Sequence, residues 1–341
     1  MEKILVLTHV DEAGNSLPKA ALETISAGIE LSQSLGATLA IGVVGADVQS
    51  AANSVAGTGA RILAVSGAEF AQARYASDAA ACEAICRAAE PTVVLAPSTS
   101  RFARVVPGVA HRVGGTVDTH ISTVTNESGA IAVGRWFYRQ RIEAVLRRET
   151  RPWFMLLDSG TRSPWHGEAG TASVENVAVT LPSPRTTVTG VRAPKQDEQT
   201  IRPDAKLLFV AGAGWTKKQS DGQVHAQEAE SLILDFLRTS GASLGSSKSL
   251  VDQSGENQVV LKFMSHLNQV GQTGSTPRHP KGLSTCCHGE EPHVVGWRFV
   301  GERRAVNLDA NCGWARGKAD VLYVADAFKV MAKVNALLKQ Q

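Results

Sequence analysis

Residue types able to do chemistry gather in the last third of the chain. Val270-Gly271-Gln272-Thr273-Gly274 is the most distinctive stretch. Glycines let backbone N–H groups approach a bound molecule, and Gln272 and Thr273 add neutral donors and acceptors. The same composition also builds a polar surface turn, and residue types alone leave both readings open. Ala211-Gly212-Ala213-Gly214 follows an apolar run. It is either a turn that approaches phosphate or a plain tight turn. It lacks the third glycine of a dinucleotide fingerprint, and the chain has no Gly-Lys-Ser/Thr P-loop. Cys286-Cys287-His288, with His293 and Cys312, offers thiolates and imidazoles, but adjacent cysteines do not give a chelating spacing, so no metal is expected. Cys82 and Cys86, four apart on a helical pattern, read as buried packing. No His-Glu-x-x-His helix occurs, so metalloprotease chemistry has no support, and no catalytic residue is expected.

These residues need elements to hold them. A chain of 341 residues suffices for two domains. With 43% hydrophobic and 20% charged residues it can bury a sizeable core. Its net charge of +3 is too small, and too evenly spread, for a nucleic-acid or membrane-binding surface. No apolar run reaches the roughly 18–20 residues of a membrane span. The opening residues run straight into a strand, which predicts no signal or transit peptide. The odd cysteine count of 5 predicts a reducing cytoplasm.

In the first hundred residues short apolar runs alternate with helical periods. Ile4 to Leu7, Leu39 to Val44, Arg61 to Val65 and Thr92 to Pro97 read as strands. Leu22, Ile25 and Ile29 recur at helical spacing, and Ser77 to Ala89 reads as a helix capped by Ser77. This order predicts a doubly wound parallel sheet. Ile121 to Val124, Ala130 to Val133, Ile142 to Leu146 and Trp153 to Leu157 read as an antiparallel extension of it. Residues 183–204 have linker composition, which separates an N-terminal α/β domain over 1–182 from a second α/β domain over 205–341. In the second domain Leu207 to Val210, Arg304 to Asn307 and Val321 to Val324 read as strands. Ala226 to Leu237 and Phe328 to Leu338 read as helices.

Taken together, these residues resemble the α subunit of the electron transfer flavoproteins. Val270-Gly271-Gln272-Thr273-Gly274 matches that family's Val-Gly-Gln-Thr-Gly loop, and His293 and Asn307 follow it at the family's spacings. Ser247-Lys248-Ser249-Leu250-Val251-Asp252 resembles Ser-Arg-Ala-Ala-Val-Asp, and Val324-Ala325-Asp326-Ala327-Phe328 resembles Val-Ala-Asp-Leu-Phe. Leu95-Ala96-Pro97, ahead of a Ser/Thr-rich turn, follows the N-terminal layout.

The resemblance implies an N-terminal domain of the nucleotide-hydrolase-like kind and a Rossmann-like C-terminal domain that holds FAD. It further implies a heterodimer with a β subunit, a flavin dehydrogenase as electron donor and a membrane quinone oxidoreductase as acceptor. By the resemblance, Gln272 and Thr273 contact the flavin–ribityl region, and Ser247, Lys248, Val270 and Gly271 bind the cofactor beside them. His288, Gly289, Glu290, Glu291, Pro292 and His293 form a turn against pyrophosphate and flavin. Asn307 and Asp326 hold the adenosine half, and Ala327 beside Asp326 also binds the cofactor. A cation near the ring favours added negative charge, and a unit charge pair at ~4 Å and effective dielectric ~20 is worth about 4 kcal/mol.

The chain also departs from the family. Lys248 replaces an Arg and loses its planar fork. Ala213-Gly214-Trp215 stands where the family has Gly-Arg-Gly, and His288-Gly289-Glu290 where it has Ser-Gly-Ala. An insertion falls within Gln253 to Asn268, and Glu290 and Glu291 bring negative charge towards a diphosphate. Two rival expectations follow: a flavin-free structural or docking subunit of a larger dehydrogenase complex, and nucleotide binding by residues 1–180, a role that the family gives to the β subunit.

Overall fold

Ile4 to Leu7 is apolar at every position, and the strand it forms has both faces covered, as a parallel sheet demands. In the computed structural model described here this is β1 (Lys3–His9). The structure describes residues 1–11, 14–138, 142–183, 185–190, 201–202, 205–252, 260–271, 276, 279–286, 300–312 and 319–340. They separate into two compact units, one within 1–191 and one within 192–341.

The first unit continues with α1 (Lys19–Leu35), β2 (Thr38–Gly45), α2 (Gln49–Ser54), β3 (Arg61–Ser66), α3 (Tyr75–Ala89), β4 (Val93–Pro97) and α4 (Ser100–Arg112). There follow β5 (Thr116–Glu127), β6 (Ala130–Phe137), β7 (Ile142–Leu146), β8 (Trp153–Leu157) and β9 (Val174–Asn176). The strands form one sheet in the order β7-β6-β5-β8-β4-β1-β2-β3-β9. Side-chain alternation divides the core. Ile4, Val6, Val93 and Leu95 face Ala21, Ile25 and Leu31 of α1 on one side. Leu5, Leu7, Val94 and Phe154 face Cys82, Ile85 and Phe102 of α3 and α4 on the other. The sheet is therefore doubly wound.

Two details differ from the sequence reading. Trp153–Leu157 is not part of the antiparallel extension: β8 lies in the middle of the sheet, parallel to both β4 and β5. All five of its residues are buried, which is the pattern of a strand covered on both faces. Only β5, β6 and β7 pair antiparallel. Ser77 does not cap α3. That helix begins at Tyr75 after Arg74, and Ser77 sits inside its first turn. Cys82 and Cys86 are packing residues. Burial pushes both thiols up, Cys86 to about 12, so neither is a thiolate at neutral pH.

The second unit comprises β10 (Leu207–Ala211), α5 (Ala226–Ser240), β11 (Ser243–Ser246), α6 (Lys248–Val251), β12 (His279–Thr285), β13 (Val300–Asn307), β14 (Val321–Val324) and α7 (Ala327–Leu338). Its sheet is parallel throughout, in the order β11-β10-β12-β13-β14. Phe209 and Ala211 face Ile233 and Phe236 of α5 and Met331 of α7. Leu208 and Val210 face Val270, Val300 and Cys312. Among the described residues no helix is long and apolar enough to cross a membrane.

The junction of β5 and β8 depends on one carboxylate. Asp118 is 1% exposed and accepts from Trp153 Nε1 (2.9 Å) and Arg148 Nη2 (2.8 Å), with Arg135 Nη1 at 3.4 Å. Burial alone would raise its pKa, but the hydrogen bonds from Arg148 and Trp153 outweigh it and hold the carboxyl below its ordinary value. Asp118→Ala leaves an indole N–H and two guanidinium groups without their acceptor. The expected loss is about 3 kcal/mol in urea unfolding.

Candidate functional site

A parallel sheet places the carboxyl ends of its strands on one edge, and ligands bind where neighbouring connections leave in opposite directions. Each unit has such a switch point, between β1 and β4 in the first and between β10 and β12 in the second.

The first is bridged by the chain's own polar side chains. His9, at the end of β1, is 7% exposed. Its Nδ1 lies 2.8 Å from Val10 O, and its Nε2 lies 2.9 Å from Thr99 Oγ1, the residue that caps α4. Just inside α4, buried Arg101 donates Nε (2.9 Å) and Nη2 (2.7 Å) to Asp78 and Nη2 to Phe70 O (2.8 Å). Burial lowers the His9 pKa, and the Arg101 charge adds to the effect.

The second edge is built differently. Register aligns Ala211, Ser246, Thr285 and Val306 across β10, β11, β12 and β13, and Asn307 with Val324. A single 3-10 turn, Ala213–Thr216, follows β10. Four amides in and beside it bond within the protein: Gly212 N donates to Thr285 O (2.9 Å), Gly214 N to Cys286 O (2.8 Å), Trp215 N to Gly212 O (3.3 Å) and Lys217 N to Gly214 O (3.3 Å). A Cβ on Gly214 would stand 2.6 Å from Cys286 O, so no side chain fits at that position. Trp215 is fully buried, donates Nε1–H to Thr285 Oγ1 (2.9 Å) and packs on Phe328 with ring centroids 4.5 Å apart. Ala211 to Gly214 is therefore a tight turn, not a phosphate cradle.

Around this closed centre the sequence-predicted residues come to the same edge. Ser247 is buried and caps α6 by accepting from Leu250 N (3.3 Å). Lys248 opens that turn with its ammonium exposed, 3.6 Å from Asp252 Oδ2, whose other oxygen lies 3.4 Å from His266 Nδ1. Val270 extends the sheet beside β11, since its N–H donates to Ser246 O (3.0 Å). Gly271 follows with φ +79°, a left-handed conformation that favours glycine, and its N–H donates to Thr276 Oγ1 (2.7 Å). On the other flank, Asn307 is 4% exposed. Its Nδ2 donates to Asp309 O (3.3 Å) and its Oδ1 has no partner among the described residues. Asp326 caps α7 by accepting from Phe328 N on Oδ1 (2.9 Å), which leaves Oδ2 uncommitted, and Ala327 is buried beneath the helix. Gln272, Thr273 and His288 to His293 lie outside the described residues.

Two features of this edge have no signal in the sequence. Ser246 Oγ and Ser284 Oγ, at the ends of β11 and β12, are buried without a hydrogen-bond partner among the described residues. The Trp215–Thr285 clamp joins residues seventy apart. Among the described residues this edge thus keeps two orphaned hydroxyls, an uncommitted amide oxygen, an uncommitted carboxylate oxygen and a left-handed glycine.

Two measurements check this geometry. Gly214→Ala forces the β10 turn away from Cys286 O and is expected to cost about 1–3 kcal/mol in denaturant unfolding, without any gain in phosphate affinity. The folded-state pKa of His9 lies below its usual 6.5. A depressed imidazole is kept neutral by the fold, so its contribution is complete above the unfolded value and is lost as pH falls below about 6.5. Stability should therefore drop between pH 7 and 5, and His9→Gln should flatten that slope.

The electron transfer flavoprotein domain family matches residues 6–182, more than half of the 341-residue chain and nearly all of the first unit. No curated protein matches the chain. That match, which spans the sheet and its β5–β7 extension, shows that the chain belongs to the electron transfer flavoprotein domain family.

Proposed function

We propose that this chain is the FAD-holding, α-type subunit of an electron transfer flavoprotein, working in the cytoplasm as a heterodimer with a β subunit. One observation carries the reading. Ser247, Lys248, Val270, Gly271, Asn307 and Asp326, which resemble the family's flavin contacts, fall on one carboxyl edge of a parallel sheet. That edge lies outside the family match, so the flavin reading is supported by residue placement and the family by the first unit. The closed β1/β4 switch point supports an α-type rather than a nucleotide-holding role for that unit.

FAD, when bound, supplies the electron chemistry, and the protein sets orientation and local charge. Lys248 provides the cation on the β11 side. The Ser246 and Ser284 hydroxyls provide neutral contacts. Asn307 Oδ1 and Asp326 Oδ2 accept hydrogen bonds from ribose hydroxyls. The chain holds the cofactor and orients it between partners. Electrons arrive from a flavin dehydrogenase and leave to a membrane quinone oxidoreductase, so no substrate is transformed on this chain.

One observation favours the rival, a flavin-free docking subunit: the Gly212, Gly214 and Trp215 amides at the β10 turn are all committed to carbonyls of the chain. A visible spectrum of the chain purified with its β-type partner decides between them. Flavin absorption at one FAD per heterodimer is expected, and a colourless, folded heterodimer overturns the reading. Lys248→Gln should lower the potential of bound FAD by roughly 10–30 mV, on a scale where about 30 mV equals about 1.4 kcal/mol for a two-electron couple. The effect should shrink with added salt, because the ammonium is exposed.

A further inference from the structure

We propose that Trp215 is a positioning residue for the adenosine end of the dinucleotide, acting through Phe328 on the carboxylate of Asp326. The proposal rests on the cofactor reading above. An indole has one polar atom, a donor, and burying it requires an acceptor. Thr285 Oγ1 supplies that acceptor at 2.9 Å, from the last residue of β12. The ring is thereby pinned over the β10/β12 switch point, where Gly212 N–H also reaches Thr285 O. Its apolar surface is fully buried, and the Phe328 ring packs against it at 4.5 Å with a tilt of 53°. His225 meets the same phenyl ring edge-on at 6.3 Å, so Phe328 is held by two rings. The amide of Phe328 is the donor that orients Asp326 Oδ1 (2.9 Å). The ring that Trp215 holds thus belongs to the residue whose backbone aims the carboxylate. With Oδ1 committed, Oδ2 is the oxygen presented to a ribose hydroxyl.

This chain of contacts runs from the centre of the sheet towards β14. Lys248 and Gly271 belong to the opposite flank, beside β11. Loss of the indole should therefore weaken grip on the adenosine half and spare the riboflavin half. A defect of overall stability would weaken both alike.

The test titrates the full-length chain with FAD, ADP and riboflavin in a calorimeter. The variants are Trp215→Leu, Trp215→Phe, Thr285→Val and Asp326→Asn, with the double variant Trp215→Leu/Asp326→Asn. Asn keeps the helix cap but removes the charged acceptor. Trp215→Leu should weaken ADP and FAD about tenfold while riboflavin changes less than about twofold, and Trp215→Phe, which keeps a ring, should recover part of the loss. The double variant should lose little more ADP affinity than Asp326→Asn alone, because both changes act on one contact. If Trp215→Leu does not fold, Trp215→Phe and Thr285→Val should show the same split at smaller size. Equal weakening of ADP and riboflavin, unchanged ADP affinity, or additive losses in the double variant each overturn the proposal. A wild-type chain that binds none of the three ligands overturns the cofactor reading and this proposal with it.

Discussion

In a parallel sheet every strand delivers its carboxyl end to the same edge, and main-chain groups there lose their ladder partners together. Both units depend on how that edge is completed. In the first, His9, Thr99 and the Asp78–Arg101 pair complete it with side chains from β1, α3 and α4. In the second, two backbone bonds and one indole close the centre, and the flanks keep uncommitted oxygens. The same architecture thus yields one edge that is satisfied by the protein and one that is not. A buried hydroxyl without a partner costs about 1–3 kcal/mol. Ser246 and Ser284 therefore weigh against the second unit's stability until something supplies their bonds.

The N-terminal unit shows what a satisfied polar interior requires. Asp118 and Asp78 are 1% exposed or less, yet each meets a guanidinium. Breaking one partner of such a pair is costly because the other charge stays buried. Glu23 follows the same rule on α1: it accepts from Gly160 N (2.8 Å) and Ser159 Oγ (3.1 Å), tying the segment after β8 to the helix. These bonds fix the first unit as a scaffold. Among the described residues, buried Arg101 is thereby committed to Asp78 and Phe70 O rather than to a phosphate at the switch point.

Much of the second unit was illegible in the sequence for identifiable reasons. β12 reads His-Pro-Lys-Gly-Leu-Ser-Thr, with a proline, a glycine and one large apolar residue, and it is a strand because β10 and β13 pair with it on both sides. β11, Ser-Leu-Gly-Ser, lacks the apolar run for the same reason. α4 carries Pro107 and Gly108, which hide a helix whose Phe102, Val105, Val106 and Val109 pack on the sheet. β14 and α7 were legible, because their apolar periods stand alone. The site was legible only as residue types at spacings. That Ser247 and Asp326 are also helix caps, and that Gly214 is barred from carrying a side chain, follows from register and close approach rather than from the sequence.

A dinucleotide held this way would be gripped by neutral groups and the Asp326 carboxylate, with Lys248 supplying an exposed ammonium. Neutral donors are insensitive to salt, whereas an exposed ammonium is screened within a Debye length of about 8 Å at physiological ionic strength. Binding and redox tuning are then carried by different residues. The hydroxyls, Asn307 and Asp326 set occupancy, and Lys248 sets how readily the bound group accepts negative charge. Lysine suits that division better than arginine would, since a compact ammonium contributes charge with little of the fork geometry that fixes orientation. Orientation must then come from the protein's packed interior. Among the described residues of this unit, the largest rigid group at the edge is the buried indole of Trp215, tied to Thr285 and packed on Phe328.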